Sequence, residues 1–306
     1  MVYNKVYMEK EKVIVTGGAG FIGSHIADFL VSQGYDVHIV DSLCSGVREN
    51  VNNMATLHVV DIRDRDRLVD VFSGARYVFH EAAIPQVQYS IENPVETNDV
   101  NVSGLLNILE ISRLSGVHRV IFASSSAVYG NQEVLPITET MEVSPLSPYG
   151  SQKHIGEIYC RLYSEIYKIE TVCLRYFNVF GPRQSAKGSY SSVIPSFIKL
   201  KKNNKPLQII GSGENSRDYI NVHDVVSANF KAMISPKVGM GETINIGSGV
   251  SCSVNDLAKL IGGNVIYLPP RVEPKESLSD ISVAKKLLEW EPKIKLEEGI
   301  KELFNS

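Results

Sequence analysis

The chain has 306 residues, of which 43% are hydrophobic and 21% are charged, and its formal net charge is −3. This length allows one large or two modest domains with a substantial core. The slightly acidic balance gives no basic footprint for nucleic acid, and no apolar run reaches the roughly 18 residues that would span a bilayer. The first ten residues lack the apolar core of a signal peptide, so we expect a cytoplasmic protein without nucleic-acid or membrane partners.

The cysteine and histidine patterns give no sign of a metal. The four cysteines are far apart, without C-x-x-C spacing, and the seven histidines form no H-x-x-x-H pair. We therefore expect reduced thiols and no bound metal.

A glycine-rich turn follows the first predicted strand. Residues 13–23, V-I-V-T-G-G-A-G-F-I-G, join a β-branched run to an amphipathic stretch, with Gly18, Gly20 and Gly23 in the pattern G-x-G-x-x-G. Such glycines allow a sharp turn, let backbone amides approach a pyrophosphate and let the helix pack closely on the strand. The positive end of the helix dipole then faces the phosphates. The candidate cofactor contacts in this turn are Gly17, Gly20, Phe21, Ile22 and Gly23.

An acidic residue after the second strand favours NAD over NADP. A predicted helix over 21–33 is followed by a strand over 35–40, which ends on Asp41. A carboxylate about 20 residues beyond the glycines would hydrogen-bond a ribose 2′-hydroxyl and repel a 2′-phosphate. Arg48 follows closely and could serve a phosphate instead, which leaves the NADP alternative open.

Strands and helices alternate over the next hundred residues. Strands are predicted at 56–60, 77–80, 117–123 and 171–176, and helices at 64–72, 94–115 and 149–167. This alternation predicts βαβ units and a parallel sheet. Asp61 could accept a hydrogen bond from an adenine amino group or cap the following helix. Small residues after the fourth strand would let a cofactor lie against the backbone. The further cofactor candidates are Asp61, Ile62, Ala82 and Ala83.

Three serines and a tyrosine–lysine pair are candidate catalytic residues. Ser124, Ser125 and Ser126 follow the fifth strand, where an open α/β sheet gathers its ligands. Tyr149 and Lys153 are four apart on one predicted helix, so their side chains project from the same face. A free phenol has a pKa near ~10, but a neighbouring ammonium and a positively charged nicotinamide would favour the phenolate. Tyr149 would then serve as a general base.

Motifs along nearly the whole chain carry a family resemblance. They are T-G-G-A-G-F-I-G (16–23), F-H-E-A-A (79–83), S-S-S-A-V-Y-G (124–130), Y-G-S-Q-K (149–153), R-Y-F-N-V-F-G-P-R (175–183), G-S-G-E-N-S-R-D-Y (211–219), E-W-E-P (289–292) and L-E-E-G (296–299). With them the chain resembles the extended short-chain dehydrogenase/reductases, in particular nucleotide-sugar epimerases of the UDP-glucose 4-epimerase type. We expect a Rossmann-type doubly wound parallel α/β sheet over 1–180. Residues 181–306 are expected to form a smaller α/β substrate-binding domain, with some segments crossing back.

The resemblance implies an isomerase with tightly held NAD. NAD would take a hydride from C4 of the sugar while Tyr149 takes the hydroxyl proton, and the hydride would return to the other face of the 4-keto sugar. Ser125 would hydrogen-bond the C4 oxygen, and Lys153 would bind the nicotinamide ribose and tune the tyrosine. The substrate-binding residues that the resemblance implies are Ser125, Ser126, Tyr149, Asn178, Val193, Gln208, Arg217, Arg271 and Ser277. Of these, Asn178, Arg217 and Arg271 match contacts to the UDP diphosphate, and Val193 and Gln208 lie near the uracil and ribose.

At two positions the residues differ from those of related enzymes, and these differences limit the reactions and substrates that we expect. Ser126 and Ala127 stand where dehydratases carry an Asp-Glu pair, which counts against a 4,6-dehydratase and against a UDP-glucuronate decarboxylase. Ser277 stands where strict UDP-glucose epimerases have a bulky tyrosine, and a small residue would leave room for an N-acetyl group. We therefore expect a 4-epimerase of UDP-glucose and UDP-galactose that also accepts UDP-GlcNAc and UDP-GalNAc.

Two alternatives stay open. One is a UDP-glucuronate 4-epimerase or a related enzyme on the same scaffold. The other is a non-catalytic NAD-sensing protein, although such a protein need not retain Ser125, Tyr149 and Lys153. The helices at 94–115 and 149–167 carry more apolar surface than one sheet face requires, and in the family they pair across a dimer interface. We therefore expect a homodimer.

Overall fold

The computed structural model describes residues 10–185, 192–270 and 275–305. The strands are β1 (Lys12–Thr16), β2 (Asp36–Asp41), β3 (Thr56–Val59), β4 (Ala75–His80), β5 (Arg119–Ser125), β6 (Glu170–Tyr176), β7 (Asn178–Phe180), β8 (Leu207–Ile210), β9 (Ser216–Asn221), β10 (Met240–Ile246), β11 (Ser251–Ser253) and β12 (Val265–Leu268). The helices are α1 (Phe21–Ser32), α2 (Arg65–Phe72), α3 (Val87–Glu92), α4 (Pro94–Asn98), α5 (Gly104–Leu114), α6 (Pro148–Tyr167), α7 (Val193–Lys202), α8 (Val222–Ile234), α9 (Val254–Ile261), α10 (Ser282–Leu288) and α11 (Leu296–Asn305).

Seven parallel strands form the central sheet, in the order β3-β2-β1-β4-β5-β6-β10. The strand order reverses between β1 and β4, and in such sheets ligands bind in the crevice beyond the carboxyl ends of the strands at this point. Val13, Ile14 and Val15 of β1 are completely buried because helices cover both faces of the sheet. The predicted Rossmann-type doubly wound sheet is confirmed.

Two apolar layers enclose the sheet. On one face Ile26 of α1 and Val225 of α8 pack with Val13 and Val15. On the other face helices α2, α5 and α6 contribute to a second cluster that includes Ile14. Successive residues of β1 thus point to opposite layers, as the period of a strand requires.

The predicted helix over 94–115 is interrupted. A π-helical turn, Asp99–Ser103, separates α4 from α5. Within it Asn101 exchanges hydrogen bonds with both backbone groups of Ile84 (2.8 and 3.1 Å) and donates to Gln152 Oε1 of α6 (2.8 Å). This π turn therefore places an amide where it fixes the loop after β4 against α6.

Two small sheets lie beside the central sheet. One has the order β11-β9-β7 and the other pairs β12 with β8. Phe180, Phe197, Leu207 and Leu257 belong to the apolar cluster of this region, together with residues of α11. β10 follows β9 in the chain but pairs with β6 of the central sheet, while the division at residue 180 stays a prediction. Across the described ranges, no helix combines the length and apolarity that a membrane crossing needs.

Candidate active site

The start of helix α6 is fixed on the sheet by hydrogen bonds. Ser147 Oγ caps the helix by accepting from the Gly150 amide (3.2 Å), and Pro148 occupies the first turn. The Tyr149 amide donates to Ser90 Oγ (3.1 Å), which satisfies another amide of that turn that has no partner within the helix. Tyr149 is buried, and its side chain lies beside Ser125 at the end of β5. The structure thus brings together two of the predicted catalytic residues.

Lys153 lies one turn further along α6 and is also buried. Its Nζ donates to the carbonyl oxygen of Ala123 (2.7 Å) and lies 5.8 Å from the centre of the Tyr149 ring. Burial lowers the pKa of Lys153 to about 8, although the nearby Glu81 carboxyl opposes this shift. The ammonium therefore sits on the same side of the sheet as the phenol, within one helical turn.

The pKa of Tyr149 differs from the sequence-based expectation. Burial raises it to about 12, the interaction with Ser125 acts to lower it, and the charge of Glu81 raises it. The groups of the chain alone therefore do not produce a phenolate at neutral pH. A positive charge beside the ring, or further hydrogen bonds to the phenolate, would lower this pKa.

The three serines after β5 have different surroundings. Ser124 is buried and its Oγ donates to Glu157 Oε1 (2.6 Å), so it is engaged in the interior. Ser125 Oγ accepts from the Ala127 amide (3.1 Å) and faces Tyr149. Ser126 opens a short 3₁₀ turn and is half-buried. Ser125 is therefore the serine that the geometry associates with the phenol.

A buried ion pair behind the site was missed in the sequence analysis. Glu157 of α6 and Arg175 of β6 are paired through Nε–Oε1 (2.7 Å) and Nη2–Oε2 (2.8 Å). The Arg175 guanidinium lies 4.6 Å from the centre of the Tyr129 ring. The position of Glu157, four residues after Lys153, was the available signal, because it places a charge on the helix face that meets the sheet.

The glycine turn is closely packed against the segment that follows β4. Gly17 has φ +69°, and a Cβ there would lie 2.7 Å from the Ala82 amide nitrogen. A Cβ on Gly23 would lie 2.4 Å from the Gly17 carbonyl oxygen, which itself accepts from the Gly20 amide (2.9 Å). Three predicted cofactor residues of the turn and Ala82 are thus within contact distance, and Ala83 follows directly.

The residues around this turn fit NAD. Gly20 precedes α1, and within the described ranges no side chain caps that helix and no acidic residue lies in its first turn, which contains Phe21 and Ile22. Such a helix start suits a pyrophosphate. The Asp41 carboxylate accepts from the amides of Ala19 (3.0 Å) and Leu43 (2.8 Å) at the end of β2. This fixed anion suits a ribose hydroxyl and disfavours a 2′-phosphate.

Asp61 has a partner of its own. Arg63 binds its carboxylate through Nε (3.0 Å) and Nη2 (2.7 Å), and these contacts lower the pKa of Asp61. The alternative in which Asp61 caps the next helix is wrong, because Asp64 is the cap residue of α2. Ile62 is buried beneath Gly104, and a contact of Asp61 or Ile62 with adenine stays a prediction.

Three predicted substrate residues also come together. Asn178 Nδ2 donates to the Asp218 carbonyl oxygen (3.1 Å) and to Ser277 Oγ (3.4 Å). Arg217 Nη1 donates to the carbonyl oxygens of Ser216 (2.8 Å) and Lys275 (3.3 Å).

The remaining predicted substrate residues are more dispersed. Val193 begins α7 and is half-buried against the apolar cluster of the small sheets. Gln208 is exposed on β8, in the separate two-stranded sheet. Arg271 lies outside the described residues. The structure therefore associates Asn178, Arg217 and Ser277 more closely than the other members of the predicted set.

The fold is that of an extended short-chain dehydrogenase/reductase. Residues 13–247 match the model of the NAD dependent epimerase/dehydratase family. The chain belongs to this family, and its cofactor is NAD.

Relatives with named activities cover almost the whole chain. A protein of Methanocaldococcus jannaschii, provisionally assigned as a UDP-glucose 4-epimerase, is 44% identical over 96% of this chain and 97% of its own. The crystal structure of the Thermotoga maritima UDP-glucose 4-epimerase with UDP-glucose is 39% identical and has a TM-score of 0.92, covering 96% of this chain and 97% of its own. A UDP-N-acetylglucosamine 4-epimerase of Methanobrevibacter ruminantium, in complex with UDP-N-acetylmuramic acid, is 38% identical with a TM-score of 0.92, covering 97% and 98%.

Proposed function

We propose that this protein is an NAD-dependent 4-epimerase of UDP-hexoses that interconverts UDP-glucose and UDP-galactose and also accepts the N-acetylated pair. The observation that carries the proposal is that the buried side chains of Tyr149 and Lys153 meet the end of β5, where Ser125 lies beside the phenol and Lys153 Nζ donates to the Ala123 carbonyl oxygen (2.7 Å). This arrangement can hold a hydroxyl group and remove its proton. The names of the similar proteins support a UDP-sugar as the substrate.

Each residue then has a distinct task. Tyr149 removes the proton from the C4 hydroxyl and later returns it to the C4 oxygen. Ser125 hydrogen-bonds that oxygen and holds it beside the phenol. Lys153 contributes a positive charge that favours the ionised form of Tyr149. When bound, NAD accepts a hydride from C4 and gives it back, so the reaction needs no external oxidant.

The small side chain of Ser277 supports the tolerance of an N-acetyl group on the sugar. This small side chain lies beside Asn178, in the group of predicted diphosphate and sugar contacts. A tyrosine at this position would fill the space that a 2-acetamido group needs. Ser277→Tyr should therefore reduce kcat/KM for UDP-GalNAc far more than for UDP-galactose, and an equal effect on both sugars would contradict the assignment.

The deciding assay measures 4-epimerisation of UDP-galactose, UDP-GalNAc and UDP-glucuronate by wild type and Tyr149→Phe. We expect wild type to convert UDP-galactose and UDP-GalNAc. The kcat of Tyr149→Phe should be at least about 100-fold lower, because a general acid–base group raises the rate by a factor of ~10²–10⁴. NAD bound to both proteins is followed by absorbance. Turnover of UDP-glucuronate alone would support the rival epimerase, and bound NAD without turnover of any sugar would support the sensing protein.

We also propose a homodimer formed through α5 and α6. Leu114 is 59% exposed, Ile166 is 62% exposed and Tyr167 is 48% exposed, so apolar side chains remain uncovered on this pair of helices. Burial of such a face in a second copy would remove it from water. Sedimentation at micromolar concentration should give twice the monomer mass, and Ile166→Glu should shift the protein toward monomer. A monomeric wild type would contradict this assembly.

A further inference from the structure

We infer that Asp218 is a positioning residue for the nucleotide-sugar site, an inference that rests on the proposed function. Asp218 lies in β9 between Arg217 and Tyr219, and its side chain is completely buried. A buried carboxylate is costly unless hydrogen bonds compensate it. The groups that compensate Asp218 come from distant parts of the chain.

Three hydrogen bonds to Asp218 come from the loop after β10. Oδ1 accepts from the amide (2.7 Å) and the hydroxyl (2.6 Å) of Ser248. Oδ2 accepts from the Gly249 amide (3.1 Å). Two further hydrogen bonds to Oδ2 come from Ser279, through its amide (3.0 Å) and its hydroxyl. One side chain thus connects β9, the loop after β10 and the segment that contains Ser279.

The connected segments carry the predicted substrate contacts. Arg217 directly precedes Asp218, and Asn178 Nδ2 donates to the Asp218 carbonyl oxygen (3.1 Å). Ser277 is two residues before Ser279, and its Oγ lies 3.5 Å from the Asp218 amide nitrogen. A displacement of the Asp218 carboxylate would therefore move the diphosphate contacts and the residue proposed to admit an N-acetyl group.

The packing around this carboxylate leaves little freedom. A Cβ on Gly247 would lie 2.3 Å from Ser279 Oγ and 2.8 Å from Asp218 Oδ2. The backbone at Gly247 must therefore approach the cluster closely. By contrast, Ser125, Tyr149 and Lys153 are held by hydrogen bonds with the Ala127 amide, Ser90 Oγ and the Ala123 carbonyl oxygen, none of which involves Asp218. Loss of the carboxylate should then weaken substrate binding while the reacting groups keep their places.

The test compares Asp218→Asn with wild type, using UDP-galactose in steady-state kinetics and UDP alone in calorimetry. We expect the KM for UDP-galactose and the Kd for UDP to rise about tenfold or more, because hydrogen bonds to a charged group are lost. The value of kcat should stay within about threefold of wild type, and the amount of bound NAD should not change. An unchanged KM and Kd, or a fall confined to kcat, would overturn the inference.

A second buried carboxylate provides the matched control. Asp224 of α8 accepts from the amides of Lys293 (3.0 Å) and Ile294 (2.9 Å), a segment without predicted substrate contacts. Asp224→Asn should lower thermal stability and leave KM unchanged. An equal rise in KM in both variants would show a general loss of stability and refute the positioning role.

Two further outcomes separate the possible failures. If Asp218→Asn does not fold, the double variant Ser248→Ala/Ser279→Ala removes two donors and keeps the carboxylate, and it must show the same rise in KM and Kd. If it does not, the inference is wrong. If wild type neither converts a UDP-hexose nor binds UDP, the proposed function fails whatever the variants show.

Discussion

The Nζ of Lys153 donates a 2.7 Å hydrogen bond to the carbonyl oxygen of Ala123, two residues before Ser125 on the same strand. The carbonyl that orients the ammonium and the serine that faces Tyr149 therefore belong to one short stretch of β5. Because strand and helix are both fixed by this contact, the distance between the cation and the phenol is set by the fold. The charge of Lys153 then becomes the variable that pH can change.

We predict a loss of epimerisation as the pH rises through about 8, the value to which burial lowers the pKa of Lys153. Below this pH the side chain is a cation, and above it the neutral amine no longer favours the phenolate. Lys153→Arg keeps a positive charge throughout the accessible range, so its residual activity should lack this alkaline decline. The measurement is kcat against pH for both proteins. A decline at the same pH in Lys153→Arg would assign it to another group.

The glycine turn offers a test of close approach as distinct from backbone strain. Gly17 and Gly74 have φ values of +69° and +72°, but only at Gly17 would a Cβ meet another residue, at 2.7 Å from the Ala82 amide nitrogen. Gly17→Ala should therefore lose most of the bound NAD, since the turn must shift, whereas Gly74→Ala should keep it. Absorbance of the purified proteins measures the NAD content. Equal losses would mean that strain alone explains the effect.

Much of this site is predictable because the motifs fix local geometry. The glycine turn, the serines after β5 and the pair Tyr149/Lys153 follow from strand ends and helical spacing, which depend on neighbours in the sequence. The partners of these residues follow less readily. Lys153 donates to a backbone carbonyl oxygen, and Ser124 donates to Glu157. Both contacts depend on the packing of segments that are distant in the sequence.

The raised pKa of Tyr149 illustrates the same limit. The spacing to Lys153 indicates a favourable charge, but burial is the largest influence on the pKa of Tyr149 and raises it, and burial depends on the complete fold. The π-helical turn Asp99–Ser103 is a further case, since Asn101 takes its place there through contacts with Ile84 and Gln152. Neither contact has a signature within the local pattern of the helix.

The ion pair between Glu157 and Arg175 should be essential for stability. Each side chain is 4% exposed, so removing the carboxylate leaves a guanidinium buried without its charge partner. We predict that Glu157→Ala lowers the free energy of unfolding by about 3–5 kcal/mol. Denaturant titration measures this. Glu165→Ala on the same helix removes an exposed pair with Arg161 and should cost less than about 1 kcal/mol. Comparable losses in the two variants would contradict the role of burial.

Glu81 should make stability depend on pH near neutrality. The side chain follows β4, accepts a hydrogen bond from the Tyr176 hydroxyl (2.8 Å) and lies near Lys153, and burial raises its pKa to about 7. Between the usual carboxyl pKa and about 7 the folded protein keeps a proton that the unfolded chain has lost. The stability from this group is therefore complete below the usual pKa and is lost as the pH rises through about 7.

In Glu81→Gln the side chain carries no charge at any pH, so this variant lacks the pH dependence of stability that Glu81 causes. We predict that the Tm of the variant relative to wild type is higher by several degrees at about pH 8 than at about pH 5, since only wild type must then hold a charged carboxylate in a partly buried site. Thermal unfolding at both pH values measures the difference, and Glu133→Gln provides an exposed carboxyl as the control. A Tm difference that stays constant with pH would show that Glu81 titrates in the folded protein as it does in the unfolded chain. In that case Glu81 would carry its negative charge beside Lys153 at both pH values. The alkaline decline of activity predicted from the pKa of Lys153 would then not depend on Glu81.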